Sequence, residues 1–401
     1  MTVRPGSAAW LGLLCVARML GSTWFVAYSA VLVLTQQAWG LSGKEAGMVQ
    51  SAYHLGYLTS LFLVGFYADH AGAKRAYVLS GIAAWVSPFL FVAWAEGFWS
   101  ALWLHALTGL CQGGLYTPVL ALLNDHVPRE RRGRAMGFFI GASSAGYALA
   151  LATSAVVLKF AAFREALFAM AVFPLAAWLL SVWMLRGTEN RVHPRPAGES
   201  LISALPAVWR NRRTMLSVWG YTTHNWELLG LWAWLPAFLG AALLAQGSSI
   251  ENALVFTAFT YTANIAGSAL GGAMADRWGR TQTILFWSCL SAGLTLSIGW
   301  MMALPVALLV AIACLHNLSA IADSSTHSTV IAELTPAHYL GVAYALRSVI
   351  GFGAGVFSPV VFGWVLDLNQ GSGHAWGLAW TTLGAVAALG PFITWRLHRS
   401  R

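Results

Sequence analysis

The sequence predicts an all-α membrane protein: twelve transmembrane helices in two pseudo-symmetric six-helix bundles. Three observations predict it. Charged residues make up 9% of the 401 and hydrophobic residues 58%, against roughly a quarter charged in ordinary soluble domains. About a dozen apolar stretches, each near the ~20 residues that cross a bilayer as a helix, alternate with short polar connections. Two short sequences also recur half a chain apart. Residues 65–75 read G-F-Y-A-D-H-A-G-A-K-R and residues 272–280 read G-A-M-A-D-R-W-G-R, so that Asp69 and Asp276 stand 207 positions apart. Pro128, Gly133 and Ala135 return as Pro336, Gly341 and Ala343, 208 residues later. Two homologous halves in an apolar chain are the common construction of secondary transporters.

The expected spans, in order, are 8–34, 45–68, 75–94, 98–124, 133–158, 164–186, 214–244, 250–275, 281–303, 305–333, 340–366 and 374–397. They must be helices, because backbone in hydrocarbon has to satisfy its own hydrogen bonds and the period-2 alternation of barrel strands is missing. The first span follows Arg4 and runs past Trp24 and Tyr28 to Leu34, too long for the apolar core of a signal peptide, and is expected to be retained. Ser42 with Glu45 forms a possible capping box before the second span, and Ser248 or Ser249 can cap the eighth. Residues 1–186 are expected to form the N-terminal bundle and 214–401 the C-terminal one. Between them, 187–213, with Pro194, Pro196, Pro206 and several arginines, reads as a mobile linker.

The net charge of +9 does not gather on one module, so nucleic-acid binding is not expected; the basic residues sit in alternate loops. Eighteen lysines and arginines fall in the tails and even-to-odd loops, against Lys44, Lys159 and Arg164 on the other side, which places both termini in the cytoplasm. The linker arginines could meet anionic lipid headgroups, but orientation and solvation explain them more simply. Several tryptophans, such as Trp39, Trp99 and Trp376, fall near span ends, where interfacial rings are favoured. Cys15, Cys111, Cys289 and Cys314 lie inside apolar segments without CxxC spacing, which points to packing and to no metal or disulfide framework. No cofactor is expected, and without a Walker-type sequence ATP should not be required.

The paired G-x-x-x-D-[R/H]-x-G motif after spans 2 and 8, the twelve spans and the basic central loop together resemble the major facilitator superfamily along essentially the whole chain. The resemblance implies a transporter whose Asp69 and Asp276 latch the cytoplasmic ends of the halves, Asp69 near Gly341 and Asp276 near Gly133. A carboxylate can bond the exposed N–H groups at a helix start. Lys74, Arg75, Arg134, Arg277 and Arg280 would complete the charge network; Gly65 and Gly272 would allow close helix approach, and Gly72 and Gly279 the tight turn. His70 and Ala73 replace basic residues common in the first copy, and His105 stands where many members carry Arg in span 4. The G-x-x-x-G-P-x-x-G-G pattern of drug/proton antiporters is missing from span 5, which argues against an efflux pump.

Four formally charged residues lie well within the spans: Arg18, Glu227, Asp323 and Arg347. Each costs roughly 3 kcal/mol on insertion scales, so they should face a cavity or one another. Aligning A-R-M-L-G with W-E-L-L-G makes Arg18 and Glu227 pseudo-equivalent, and in the resembled fold spans 1, 4, 7 and 10 line the central cavity, so the two could pair when it is empty. His316, Asp323 and His327, at i, i+7 and i+11, fall on one stripe of span 10, where a carboxylate flanked by imidazoles could exchange a proton. Arg347 could pair with Asp323. His54, with Tyr53 and Tyr57, and His224 could supply further donors, while Gly351, Gly353, Gly355 and Pro359 should make span 11 pliable and tightly packed.

The expected function is secondary transport of a small polar solute by alternating access, with a proton as coupling ion. Arg18, His54, His224, Glu227 and Arg347 are the expected substrate contacts, and Glu227, Asp323, His316, His327 and His105 the proton-coupling groups. Arg18 with His54 and His105 makes the N-terminal interior basic and favours a small organic anion, with a monomer in the cytoplasmic membrane as the expected setting. Proton-driven export of amphipathic or cationic drugs, drawn to Glu227 and Asp323, is the alternative. A polytopic membrane enzyme using His316 or His327 with Asp323 lacks a nucleophile or metal motif. A transporter-like sensor would bind without flux.

Overall fold

The computed structural model describes residues 3–192, 201–336 and 339–400; Pro194, Arg195, Pro196 and Arg401 lie outside them. Seventeen α-helices and no strand occur among the described residues. They are α1 (Ala8–Gly21), α2 (Ala27–Trp39), α3 (Gly43–Ala71), α4 (Ala73–Trp94), α5 (Phe98–Gln112), α6 (Thr117–His126), α7 (Arg129–Val157), α8 (Phe163–Met184) and α9 (Leu201–Arg210). Then follow α10 (Arg212–Ala245), α11 (Ile250–Trp278), α12 (Arg280–Ile298), α13 (Val306–Ala322), α14 (Ser324–Leu334), α15 (Leu340–Leu368), α16 (Ala375–Ala387) and α17 (Leu389–Arg399). The pairs α1–α2, α5–α6, α13–α14 and α16–α17 each make one interrupted crossing, and α9 is too short to cross, which leaves twelve crossings. Eleven are apolar enough to be recognised as spans by hydropathy alone; the twelfth, α3, has the length but carries more polar residues.

Two compact units result. One comprises Met1–Leu41, Ala52–Arg195 and Ser249–Ala258; the other comprises Ser42–Ser51, Pro196–Ser248 and Phe259–Arg401. In the first, Trp10, Leu14, Tyr77, Val119, Phe139 and Met184 form a buried cluster. Helix α3 approaches α5 closely where a Cβ at Gly109 would meet the backbone of Tyr53. In the second, α10 packs along α15, with Gly351 against Tyr221 and Gly355 against Leu229 and Asn225. Gly353 has open space beside it, so two of the three expected packing glycines act as such.

Caps set the helix starts. Glu45 N–H donates to Ser42 Oγ at 3.1 Å and Ser42 N–H to Glu45 Oε2 at 2.9 Å, the expected capping box. Asp367, near the end of α15, adds a second cap to α3 by accepting the N–H groups of Gly43 and Lys44, each at 2.7 Å. Ser249 caps α11 through the Asn252 N–H at 3.3 Å. The expected linker holds structure of its own: α9 lies within it, and Asn211, accepting the Thr214 N–H at 3.2 Å, starts α10 directly after.

Candidate functional site: two buried polar clusters

In the first unit, Arg18 sits three residues before the end of α1. The chain there turns into a short 3-10 segment, Thr23–Val26, while Ser22 Oγ donates to Arg18 O at 2.7 Å. Arg18 Nε donates to Ser143 Oγ of α7 at 2.7 Å, and its guanidinium lies 5.3 Å from the ring centres of both Tyr116 and Phe139. Those rings offer their negative faces to the cation without neutralising it. Among the described residues Arg18 has no carboxylate partner within its own unit, and Glu227 takes its bonds within the second. The cavity beside Arg18, bordered by Ala17, Gly21, Tyr77, Pro174 and Ser181, is about 10 Å³, room for a water and no more.

His54 is buried, its ring 5.3 Å from that of Phe25 and 5.8 Å from that of Tyr53. His105 is sealed among Tyr28, Tyr53 and Phe91 at 5.3, 4.9 and 5.0 Å, and neither ring nitrogen has a hydrogen-bond partner. No carboxylate reaches it among the described residues, so it is placed as an aromatic-packed imidazole rather than a link in a chain of acids.

In the second unit the acids form two networks. Glu227 of α10 accepts from the hydroxyls of Ser291 and Thr295 on α12, the latter at 2.5 Å, and His316 Nε2 lies 3.6 Å from the same oxygen. Thr295 Oγ1 is also 2.7 Å from His316 Nε2, so a hydrogen on that nitrogen would be donated to Thr295, whose own hydrogen goes to Glu227. Asp323 belongs elsewhere. It is the hinge residue between α13 and α14, where it meets His224 Nδ1 at 3.0 Å and His327 Nε2 at 3.4 Å. All five acid and imidazole groups are buried. The expected single stripe of His316, Asp323 and His327 is therefore corrected: the helix breaks at Asp323, and His316 joins Glu227 while His327 stays with Asp323. The donor atoms of His224, Asp323 and His327 lie within 4.8 Å of one another, a spacing that a small cation could bridge, although the carboxylate already meets both imidazoles without one.

Arg347 does not pair with Asp323. Its Nη1 donates to Ser328 Oγ at 2.5 Å and its guanidinium stacks 4.0 Å over Tyr221, whose ring lies 5.8 Å from His224 and 6.0 Å from His327. Ser291, Thr295, Ser328 and Tyr221 were not expected as site residues. The i,i+4 pair of hydroxyls on the apolar α12 was the one signal of the first two.

The repeated motifs form matched turns: Gly72 and Gly279 precede α4 and α12 with φ of +87° and +92°, a region in which L side chains are strained. Gly65 and Gly272 depart from expectation, since a Cβ on either would meet nothing within 4 Å. Asp276 is exposed and takes Arg280 at 2.6 Å, and Arg280 also reaches Glu333 at 3.2 Å. Lys74 donates to Thr188 O at 2.8 Å, the Arg75 N–H to Asn190 Oδ1 at 3.2 Å, and Arg134 lies 5.5 Å from the Phe138 ring centre. Asp69 is partly buried near the end of α3, and Arg277 is exposed.

A family model described as Major Facilitator Superfamily matches residues 13–250. The chain is 25% identical over 416 aligned positions to "Probable sulfoacetate transporter SauU" of Cupriavidus necator, covering 96% of this chain and 93% of the relative. It is 25% identical to "Probable 4-methylmuconolactone transporter" of Cupriavidus pinatubonensis, covering 90% and 84%. Among solved structures, the nucleoside transporter NupG superposes with a TM-score of 0.78 at 14% identity over 97% of this chain and 99% of that one, a likeness of fold.

Proposed function

The chain belongs to the Major Facilitator Superfamily, and we propose that it carries a small organic anion across the cytoplasmic membrane by alternating access coupled to protons. Members of the family are multi-pass membrane transporters, and its relatives move small solutes rather than convert them. The observation that carries the anion reading is Arg18, a guanidinium inside the first unit whose partners among the described residues are neutral: the hydroxyls of Ser143 and Tyr57 and two aromatic faces. A carboxylate or sulfonate supplies what that environment leaves out, a planar pair of acceptors for the guanidinium fork. The sulfoacetate named for one relative supports the same sign of charge.

Proton coupling rests on Asp323, which faces His224 from α10 and His327 from α14, with Arg347 of α15 one ring away across Tyr221. Imidazole is the side chain that changes charge between about pH 5 and 8, so a carboxylate held between two of them can take up and pass on a proton. Glu227 with His316 provides a second such pair. Both termini face the cytoplasm in this reading, and the protein works as a monomer. Cation export finds less support, because Glu227 and Asp323 are already enclosed by donors.

Proteoliposomes offered radiolabelled carboxylates and sulfonates decide the matter. Saturable uptake that rises with an imposed inward proton gradient is expected. Movement of cationic drugs with no movement of any anion would replace the reading with export, and binding without flux would make the protein a sensor.

A further inference from the structure

We propose that the elbow between α9 and α10 is a docking site for the phosphate headgroup of an anionic phospholipid. A cavity of about 330 Å³ opens there, lined by Trp209, Arg210, Arg212, Met215, Leu216 and Trp219. Val208 anchors α9 from one side, buried with Met215, Val218, Ile331, Val342 and Ala343. From the other side Leu205 and Trp209 project outward, 39% and 53% exposed, and Trp219 is 43% exposed. Such a short helix, apolar on both its docked and its free faces, gains little from water around Leu205 and Trp209.

The depth fits. Helix α10 has 34 residues, a length of ~51 Å at 1.5 Å per residue, against a hydrocarbon core of about 30 Å. Its first turns therefore stand at headgroup level, where tryptophan is favoured and anionic lipid attracts arginine. Arg210 and Arg212 are exposed and, among the described residues, pair with no carboxylate. A free phosphate would use the two guanidinium groups alone and leave the indoles, Met215 and Leu216 without a role. A phospholipid uses both, its phosphate on the arginines and its glycerol and upper acyl carbons along the indoles.

The test uses the purified full chain in an uncharged detergent, exposed to equal amounts of phosphatidylglycerol and phosphatidylcholine, with retained lipid counted by native mass spectrometry. Phosphatidylglycerol should be retained in preference and should raise the unfolding temperature, whereas sodium phosphate should do neither. At roughly 1 kcal/mol per basic residue near an anionic surface, Arg210→Gln with Arg212→Gln should weaken that preference about thirtyfold. The charge-matched control, Arg129→Gln with Arg131→Gln on exposed positions of the first unit, should leave it unchanged. An equal loss in the control would reduce the effect to general surface charge and overturn the site. Equal stabilisation of the wild type by sodium phosphate would overturn the lipid, and no preference in the wild type would overturn both.

Discussion

Arg18 and Glu227 align when A-R-M-L-G is set against W-E-L-L-G, yet their surroundings treat charge in opposite ways. Around Arg18 the first unit places the hydroxyls of Ser143 and Tyr57 and two aromatic faces, with no opposite charge among the described residues. Around Glu227 the second unit closes two hydroxyls and an imidazole on a single carboxylate oxygen. The aromatic faces stabilise a cation by about 0.5–2 kcal/mol without cancelling it, so Arg18 keeps an attraction for an incoming anion. Hydrogen bonds to a charged group contribute about 1.5–3 kcal/mol each, so Glu227 and, by its two imidazoles, Asp323 are held in place and suited to handing on protons. In the proposed reading one unit receives a charge and the other holds charges already present.

The sharpest way to break this contrast is to remove the receiving charge. Arg18→Ala should lower kcat/KM for anion uptake by roughly a hundredfold, the equivalent of about one charged hydrogen-bonding partner, while circular dichroism and unfolding temperature stay near wild type. Arg18→Lys should recover part of the loss, because a lysine keeps the charge but not the planar fork. Uptake by Arg18→Ala at the wild-type rate would remove the first unit from solute recognition.

A smaller effect separates the two acids of the second unit. Asp323→Asn should cut the stimulation of uptake by a proton gradient by roughly tenfold, less than the roughly hundredfold or more that a positioned acid or base contributes to a chemical step, with solute counterflow preserved. Glu227→Gln should do the same if the Thr295 and His316 bonds form a working relay. Full pH dependence in Glu227→Gln alone would assign coupling to the Asp323 cluster; full dependence in both variants would remove protons from the mechanism.

Much of this was legible because hydrocarbon leaves few options. Apolar length gave the crossings, and the cost of burying charge singled out Arg18, Glu227, Asp323 and Arg347 before any coordinates. The compact units depart from the expected 1–186 and 214–401 by grouping Ser42–Ser51 with the second and Ser249–Ala258 with the first. The partnerships were not legible, and the reason is visible at Asp323. A stripe computed at 100° per residue assumes an unbroken helix, whereas the chain breaks at Asp323 and sends His316 and His327 to different acids. Ser291 and Thr295 were passed over because a hydroxyl on an apolar helix usually bonds its own backbone, and the Ser291 carbonyl, 2.9 Å from Thr295 Oγ1, competes with Glu227 for that one hydrogen. Asp367 capping α3 from 324 residues away has no local sequence signature at all.

The glycines give the smallest effect and test the scaffold under the Arg18 side of the contrast. A Cβ at Gly109 would come within 2.8 Å of the Tyr53 carbonyl carbon, and Tyr53 in turn packs on His105 and donates to Gln112 at 2.9 Å. Gly109→Ala must push α3 from α5, at a cost of about 1–3 kcal/mol for an overpacked contact, read as a lower unfolding temperature. Gly65→Ala meets no neighbour and should be neutral or gain up to about 1 kcal/mol from helix propensity. A loss at Gly65 as large as at Gly109 would mean that the motif glycine is packed in a conformation other than this one, as a gate that closes around it would require. Equal neutrality at both would mean that the α3–α5 seam yields, and that the tyrosine and histidine rings beside it are not held by helix contact.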